Sequence, residues 1–186
     1  MTREEWLLAL IGKIRPWIEA EGETLPAVHV SVGWPSKSAT ASKQRRIGEA
    51  WKGKASADGA PHIFISPLLE RTEADHVLVH ELVHACGHWD HRRGFKRLAT
   101  ALGLEGKMTA TTCSASLRTR LDAVAAEIGP YPHAVLRLAP KVKKGSRLKL
   151  AECSCGRKLR LSRKAYAEGE ITCGVCDTPF LLEDEA

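Results

Sequence analysis

Apolar side chains recur at helical spacing from the start of the chain. Trp6, Leu7, Leu10, Ile11, Ile14, Trp17 and Ile18 fall on one face and predict an amphipathic helix that stops near Gly22. The period then changes to two: Val28, Val30 and Val32 alternate with His29 and Ser31, a half-buried strand closed by Gly33-Trp34-Pro35. Ser36 to Arg45 shows no apolar period and reads as a loop. Ile47, Glu49 and Trp51 predict a second strand. His62-Ile63-Phe64-Ile65-Ser66, set between the turn-rich Ala57-Asp58-Gly59-Ala60-Pro61 and Pro67, predicts a third. Thr72-Glu73-Ala74-Asp75 has the capping-box pattern ahead of an apolar-periodic run, so a helix is expected from about Thr72 to Gly87. Phe95, Leu98, Ala99 and Leu102, closed by Gly103, predict another from about Gly94; Leu117, Leu121, Val124 and Ile128, closed by Gly129-Pro130, predict the next. This order of strands and helices is read as α+β.

The 72–87 helix carries the chemistry. In His80-Glu81-Leu82-Val83-His84 the two histidines are four residues apart, on one helix face, so both imidazoles can reach a single ion, with Glu81 beside them. Two neutral imidazoles, a coordination position left for water and a carboxylate to take that water's proton are the parts of a zinc hydrolase. The plain alternative is an amphipathic helix whose polar positions happen to be His and Glu. Against it, five of the eight histidines (His76, His80, His84, His88, His91) crowd into this one stretch. Catalytic zinc usually takes three protein ligands, so a third is expected downstream. His88 would splay too far round the helix. Asp90 completes a known longer spacing through Gly87, with Asp in place of its last His, and His91 is one residue further; spacing alone does not separate Asp90 from His91. His76 reads as a surface or supporting histidine.

With 186 residues, the chain has room for one ordinary domain and a small appendage. No apolar run approaches the ~20 residues of a membrane span, and the N-terminal stretch, with Glu4 and Glu5 before its apolar run, does not read as a signal peptide, so a cytoplasmic protein without membrane contact is expected. Beyond about Arg137 the chain turns basic, with Lys141, Lys143, Lys144, Arg147 and Lys149 leading into Cys153-Ser-Cys155 and Cys173-Gly-Val-Cys176. Two close cysteine pairs flanking a short hairpin are the layout of a zinc ribbon, in which thiolates around one ion replace a core too small to form alone. Four unrelated reduced thiols are the alternative. The net charge of +6 permits a nucleic-acid partner, and Lys143, Lys144, Arg147, Arg157, Lys158 and Arg160 are the candidate phosphate contacts.

The run from His80 to Leu104, HELVHACGHWDHRRGFKRLATALGL, resembles the SprT-like (Spartan-type) zinc metallopeptidase domain, especially its small bacterial and phage members. The likeness extends through Ser31-Val32-Gly33-Trp34-Pro35-Ser36, Arg46-Ile47-Gly48-Glu49-Ala50-Trp51 and Tyr131-Pro132-His133-Ala134. It implies a zincin-like metallopeptidase domain over 1–136, a small mixed or antiparallel sheet packed on helices, then a basic linker over 137–150 and a zinc-ribbon hairpin over 151–186. It implies His91, four residues before Phe95, as the third ligand of a catalytic zinc, with Glu81 as general base and a second, structural zinc on Cys153, Cys155, Cys173 and Cys176. By the same resemblance a peptide substrate would add to the strand near Ile63 to Ile65, and DNA or proteins bound to it would be partners. Tyr131 or His133 could donate to the oxyanion. A monomer is expected. The competing reading is a non-catalytic zinc-containing module that binds DNA or protein, or regulates transcription.

Overall fold

The computed structural model describes residues 1–41, 43–139 and 147–182, and the chain divides into two compact units, Met1–Leu138 and Ala139–Ala186. No helix among the described residues is long and apolar enough to cross a membrane. The architecture is α+β.

In the first unit, α1 (Arg3–Ala20) starts on a capping box in which Thr2 and Glu5 each satisfy the other's backbone N–H. Its apolar stripe is buried, and the Trp6 indole donates to the Gly129 carbonyl at 2.9 Å. Three strands follow, β1 (His29–Val32), β2 (Gly48–Trp51) and β3 (His62–Ile65), in the order β1-β3-β2. β3 runs parallel to β1 and antiparallel to β2, with Ile63 and Ile65 fully buried on the helix side. The expected addition of a substrate strand near Ile63 to Ile65 is therefore ruled out by pairing: β3 has neighbours on both sides, and the strands with one side unpaired among the described residues are β1 and β2.

Helix α2 (Arg71–Ala85) packs against β2, β3, α1 and the next helix, α3 (Arg93–Leu102). Its N-terminus corrects the sequence reading. The helix begins at Arg71, next to the expected Thr72, but its N-cap is Glu70 and no side chain caps it, so the Thr72–Asp75 capping box does not form. Asp75, 1% exposed, accepts both Arg118 Nη atoms at 2.6 and 2.8 Å and Arg71 at 3.1 Å, joining α2 to α4 (Ala115–Ile128). Phe95, Leu98, Ala99 and Leu102 of α3 are buried as the spacing predicts, Phe95 alone contributing about 2–3 kcal/mol by leaving water. Gly103 ends α3 at φ +96°, where a Cβ would also meet Leu117 at 2.8 Å. A hairpin not foreseen in the sequence follows, β4 (Leu104–Lys107) and β5 (Ala110–Cys113).

The second unit pairs β6 (Leu148–Glu152) with β7 (Lys158–Ser162) and β8 (Leu181–Leu182), with a one-turn helix α5 (Arg163–Ala167). β6 thus begins within the stretch read as linker. Among the described residues its apolar core cluster is Ala151, Leu161 and Leu182, with Tyr166, Ile171 and Phe180 packed on them. So few apolar groups fall well short of what an independent fold needs.

Candidate functional site

His80 and His84 lie one turn apart on α2, and the turn after Gly87 (φ +102°) brings His91 back over them. One ring nitrogen from each lies within 4.8 Å of the others. The His80 and His91 Nε2 atoms are 3.3 Å apart. Tetrahedral ligands about 2.0–2.1 Å from one zinc ion would stand about 3.3–3.4 Å from each other, so this spacing fits a shared ion. Phe95 forms the floor, its ring centroid 4.7–4.8 Å from all three imidazoles.

The hydrogen bonds behind the rings set their tautomers. His84 Nδ1 lies 2.6 Å from the His88 carbonyl oxygen; a carbonyl only accepts, so Nδ1 carries the proton and Nε2 keeps its lone pair. His80 Nδ1 meets the Thr111 hydroxyl at 2.9 Å. This is the outer support that orients imidazole ligands in metal sites. Burial, helped by the neighbouring imidazoles, pulls His80 down to about 3, burial likewise pulls His84 down to about 4, and His91 is lowered by burial. All three are neutral donors at pH 7, and they could hold a metal ion.

Glu81 is 5% exposed and shares a 540 Å³ cleft with the three histidines, Trp89, Thr111 and the Arg46–Ala50 stretch. Burial, and then the Glu49 charge, push its carboxyl up to about 8 against the counter-pull of Arg46. A divalent cation beside it would favour the ionised form. Glu49 is held by the Ser36 N–H and hydroxyl, both at 2.7 Å, and by Arg46. Burial opposes ionisation there, but these donors outweigh it and its pKa is lowered.

Asp90 turns away: its side chain is 63% exposed, and Oδ1 accepts from the Arg92 N–H at 3.3 Å. The His88 ring bonds Glu23 at 3.1 Å, and His76 Nδ1 lies 2.9 Å from the Thr72 carbonyl. Tyr131 and His133, the suggested oxyanion donors, do not line the cleft. The Tyr131 ring packs edge-on against Trp6 at 5.0 Å, and Arg3 binds the Pro132 and His133 carbonyls.

Two contributors escaped the sequence reading. Thr111 sits on the unforeseen hairpin. Gly48 sits where a Cβ would lie 2.5 Å from Glu81 Oε1 and 2.6 Å from Val77 Cγ1, so its missing side chain is what admits the carboxylate. The sequence signals for Gly48 were its place in the Arg46–Trp51 likeness and a glycine inside a strand pattern, which marks a close approach.

In the second unit, Cys153, Cys155, Cys173 and Cys176 offer four sulfurs within 4.8 Å of one another, and they could hold a metal ion such as zinc. Cys155 Sγ stands 3.8 Å from Cys173 Sγ, close to the ~3.8 Å expected for tetrahedral Zn–S bonds of about 2.3 Å. The Thr178 hydroxyl and N–H pull Cys176 down to about 5, and the Val175 and Cys176 N–H groups lower Cys173. Arg147, Arg157, Lys158 and Arg160 are exposed; Lys158 pairs with Glu152 at 3.2 Å. Lys143 and Lys144 lie outside the described residues.

Comparison with protein-family models, curated proteins and solved structures gives no match.

Proposed function

We propose that the chain is a zinc-dependent peptidase of zincin-like, SprT-like type, with one zinc on His80, His84 and His91 and a second, structural zinc on the four cysteines. The observation that carries the reading is the buried Glu81 carboxyl in the same cleft as three neutral imidazoles. A module that only held metal would need the imidazoles and not this carboxylate, whose burial costs stability. The resemblance of the His80–Leu104 stretch to the SprT-like domain supports the same reading.

Zinc held there would supply a Lewis acid for a water molecule and for the scissile carbonyl. Glu81 takes the proton of that water as its oxygen bonds to the carbonyl carbon, and returns it to the amide nitrogen as the C–N bond breaks. His84 and His80 stay neutral throughout, held by the His88 carbonyl and Thr111. The open side of β2 borders the cleft, so an extended peptide pairs there, its backbone amides satisfied by those of β2. The exposed Arg147, Arg157, Lys158 and Arg160 favour proteins bound to DNA as the substrate class.

The test is cleavage of an unfolded basic protein, and of the chain itself, at low salt with and without single-stranded DNA. Cleavage that a chelator abolishes, zinc restores and DNA accelerates supports the reading. Zinc-loaded, folded protein that cleaves in neither condition overturns it in favour of a non-catalytic DNA- or protein-binding module.

A further inference from the structure

A second group of imidazoles lies apart from the cleft. His29 opens β1 and His62 opens β3, and the parallel register pairs them directly, so both side chains leave the same face of the sheet. Their ring centroids are 4.5 Å apart. Nothing in strand formation calls for His at both positions; a β-branched or aromatic pair would suit the sheet better.

The loop between β2 and β3 brings a carboxylate to the pair. Asp58 Oδ1 accepts from the Ala60 N–H at 3.0 Å and from the Ser56 hydroxyl at 2.6 Å, which fixes the carboxylate in the turn. Its other oxygen faces outward, 2.5 Å from His29 Nε2. Ser56 Oγ is also 2.9 Å from His62 Nε2. The loop itself is tight: a Cβ on Gly53 would fall 2.0 Å from the Gly59 carbonyl oxygen. The carboxylate is therefore positioned by backbone rather than by chance rotation.

We propose that His29, Asp58 and His62 form a further metal site, for a divalent transition ion such as zinc. One ligand atom from each residue lies within 4.8 Å of the other two. Small rotations of exposed side chains open the 2.5 Å His29–Asp58 contact to the ~3.3 Å that ligands of one ion require. Two imidazoles and one carboxylate suit zinc, nickel and copper in preference to magnesium or calcium. The Ser56 hydroxyl and the His29 imidazole hold Asp58 well below the usual carboxylate range, so it remains a charged ligand at any pH where the imidazoles are neutral. The group is open to solvent, with side-chain exposures of 49% for His29 and 56% for Asp58, so water completes the coordination and the ion exchanges readily. Bound, it ties β1, β3 and the β2–β3 loop together at one point, bracing the strand that borders the cleft. None of the three residues lines that cleft, so the site stands whether or not the chain is a peptidase.

The experiment is equilibrium dialysis of the full chain against zinc, compared with Asp58→Asn and His62→Gln, together with NMR of the histidine ring protons during a copper(II) titration. At a free zinc concentration that just fills the parent's site, the parent should take up close to one zinc more per chain than either variant, because Asp58→Asn removes a charged ligand and weakens that zinc by about tenfold or more. In the parent, the His29 and His62 rings should broaden at substoichiometric copper. Asp58→Asn changes one exposed loop side chain, so it keeps the comparison usable if His62→Gln does not fold. Equal zinc uptake by parent and Asp58→Asn, or His29 and His62 signals that do not respond to copper, overturns the site.

Discussion

Gly48→Ala adds a single methyl beside the carboxylate on which the proposed chemistry depends. Ordinary contact for a Cβ begins near 3.4 Å, and this one would stand 2.5 Å from Glu81 Oε1 and 2.6 Å from Val77 Cγ1, about 0.9 Å short. Val77 is β-branched and packed within α2, so it gives little. The displacement falls on Glu81, which must swing into the cleft by about 1 Å. Overpacking of this size costs about 1–3 kcal/mol, and a 1 Å misplacement of a reacting group costs about 10²-fold in rate. Gly48→Ala should therefore keep its zinc, lose a few degrees of melting temperature and cleave about 100-fold more slowly. A double-mutant cycle with Glu81→Ala isolates the collision: the stability cost of the methyl should shrink once the carboxylate is gone. Cleavage at the parental rate, or a stability cost that is the same with and without Glu81, would refute the packing argument.

Other outcomes follow from the same structure. Asp75→Asn should cost about 3 kcal/mol in denaturant unfolding, the low end for breaking a buried pair because Arg118 keeps a quarter of its side chain in water; a loss under about 1 kcal/mol would show the pair to be idle. Cys173→Ser should remove one tightly held zinc and melt the second unit while the first unit's transition stays put, checked by metal analysis and amide exchange. For the metal-free first unit, pH has opposed effects. His80 and His84, at about 3 and about 4 when folded, lose stability as pH falls below 6.5, because the unfolded chain then binds the extra protons. Glu81, raised to about 8, works the other way: the folded state holds its proton from 4.5 to 8, so stability falls as pH rises through that window. Between 4.5 and 6.5 the imidazoles, His91 adding to the two, outnumber the one carboxyl, so the net is a rise in stability toward pH 6.5, followed by a fall from 6.5 to 8. Thermal melts of chelator-treated protein should peak near pH 6.5, and added zinc, by keeping Glu81 ionised, should remove the fall above it.

How much was legible depended on whether neighbours in sequence or neighbours in space decided the matter. The helical periods of α1, α3 and α4 were readable because each buries a stripe set by its own spacing. The start of α2 was placed to within a residue, but its capping box was misread: the N-cap is Glu70, and Asp75, which looked like part of the cap, is taken by Arg118 from another helix. The β4–β5 hairpin left little trace: of its eight residues only Leu104 is fully buried, and its threonines alternate with nothing apolar. Spacing could not choose between Asp90 and His91, since the choice is made by how the backbone turns after Gly87. The central place of β3 likewise follows from pairing with β1, more than thirty positions away.

The central claim is that Glu81 moves the proton while the histidines hold the ion. Zinc content and peptide-bond cleavage of Glu81→Gln, measured side by side with the parent, test it most directly, because the amide keeps the shape of the buried carboxyl and removes its basicity. The expected result is parental zinc content with cleavage lost. Cleavage at the parental rate with zinc in place would contradict the mechanism.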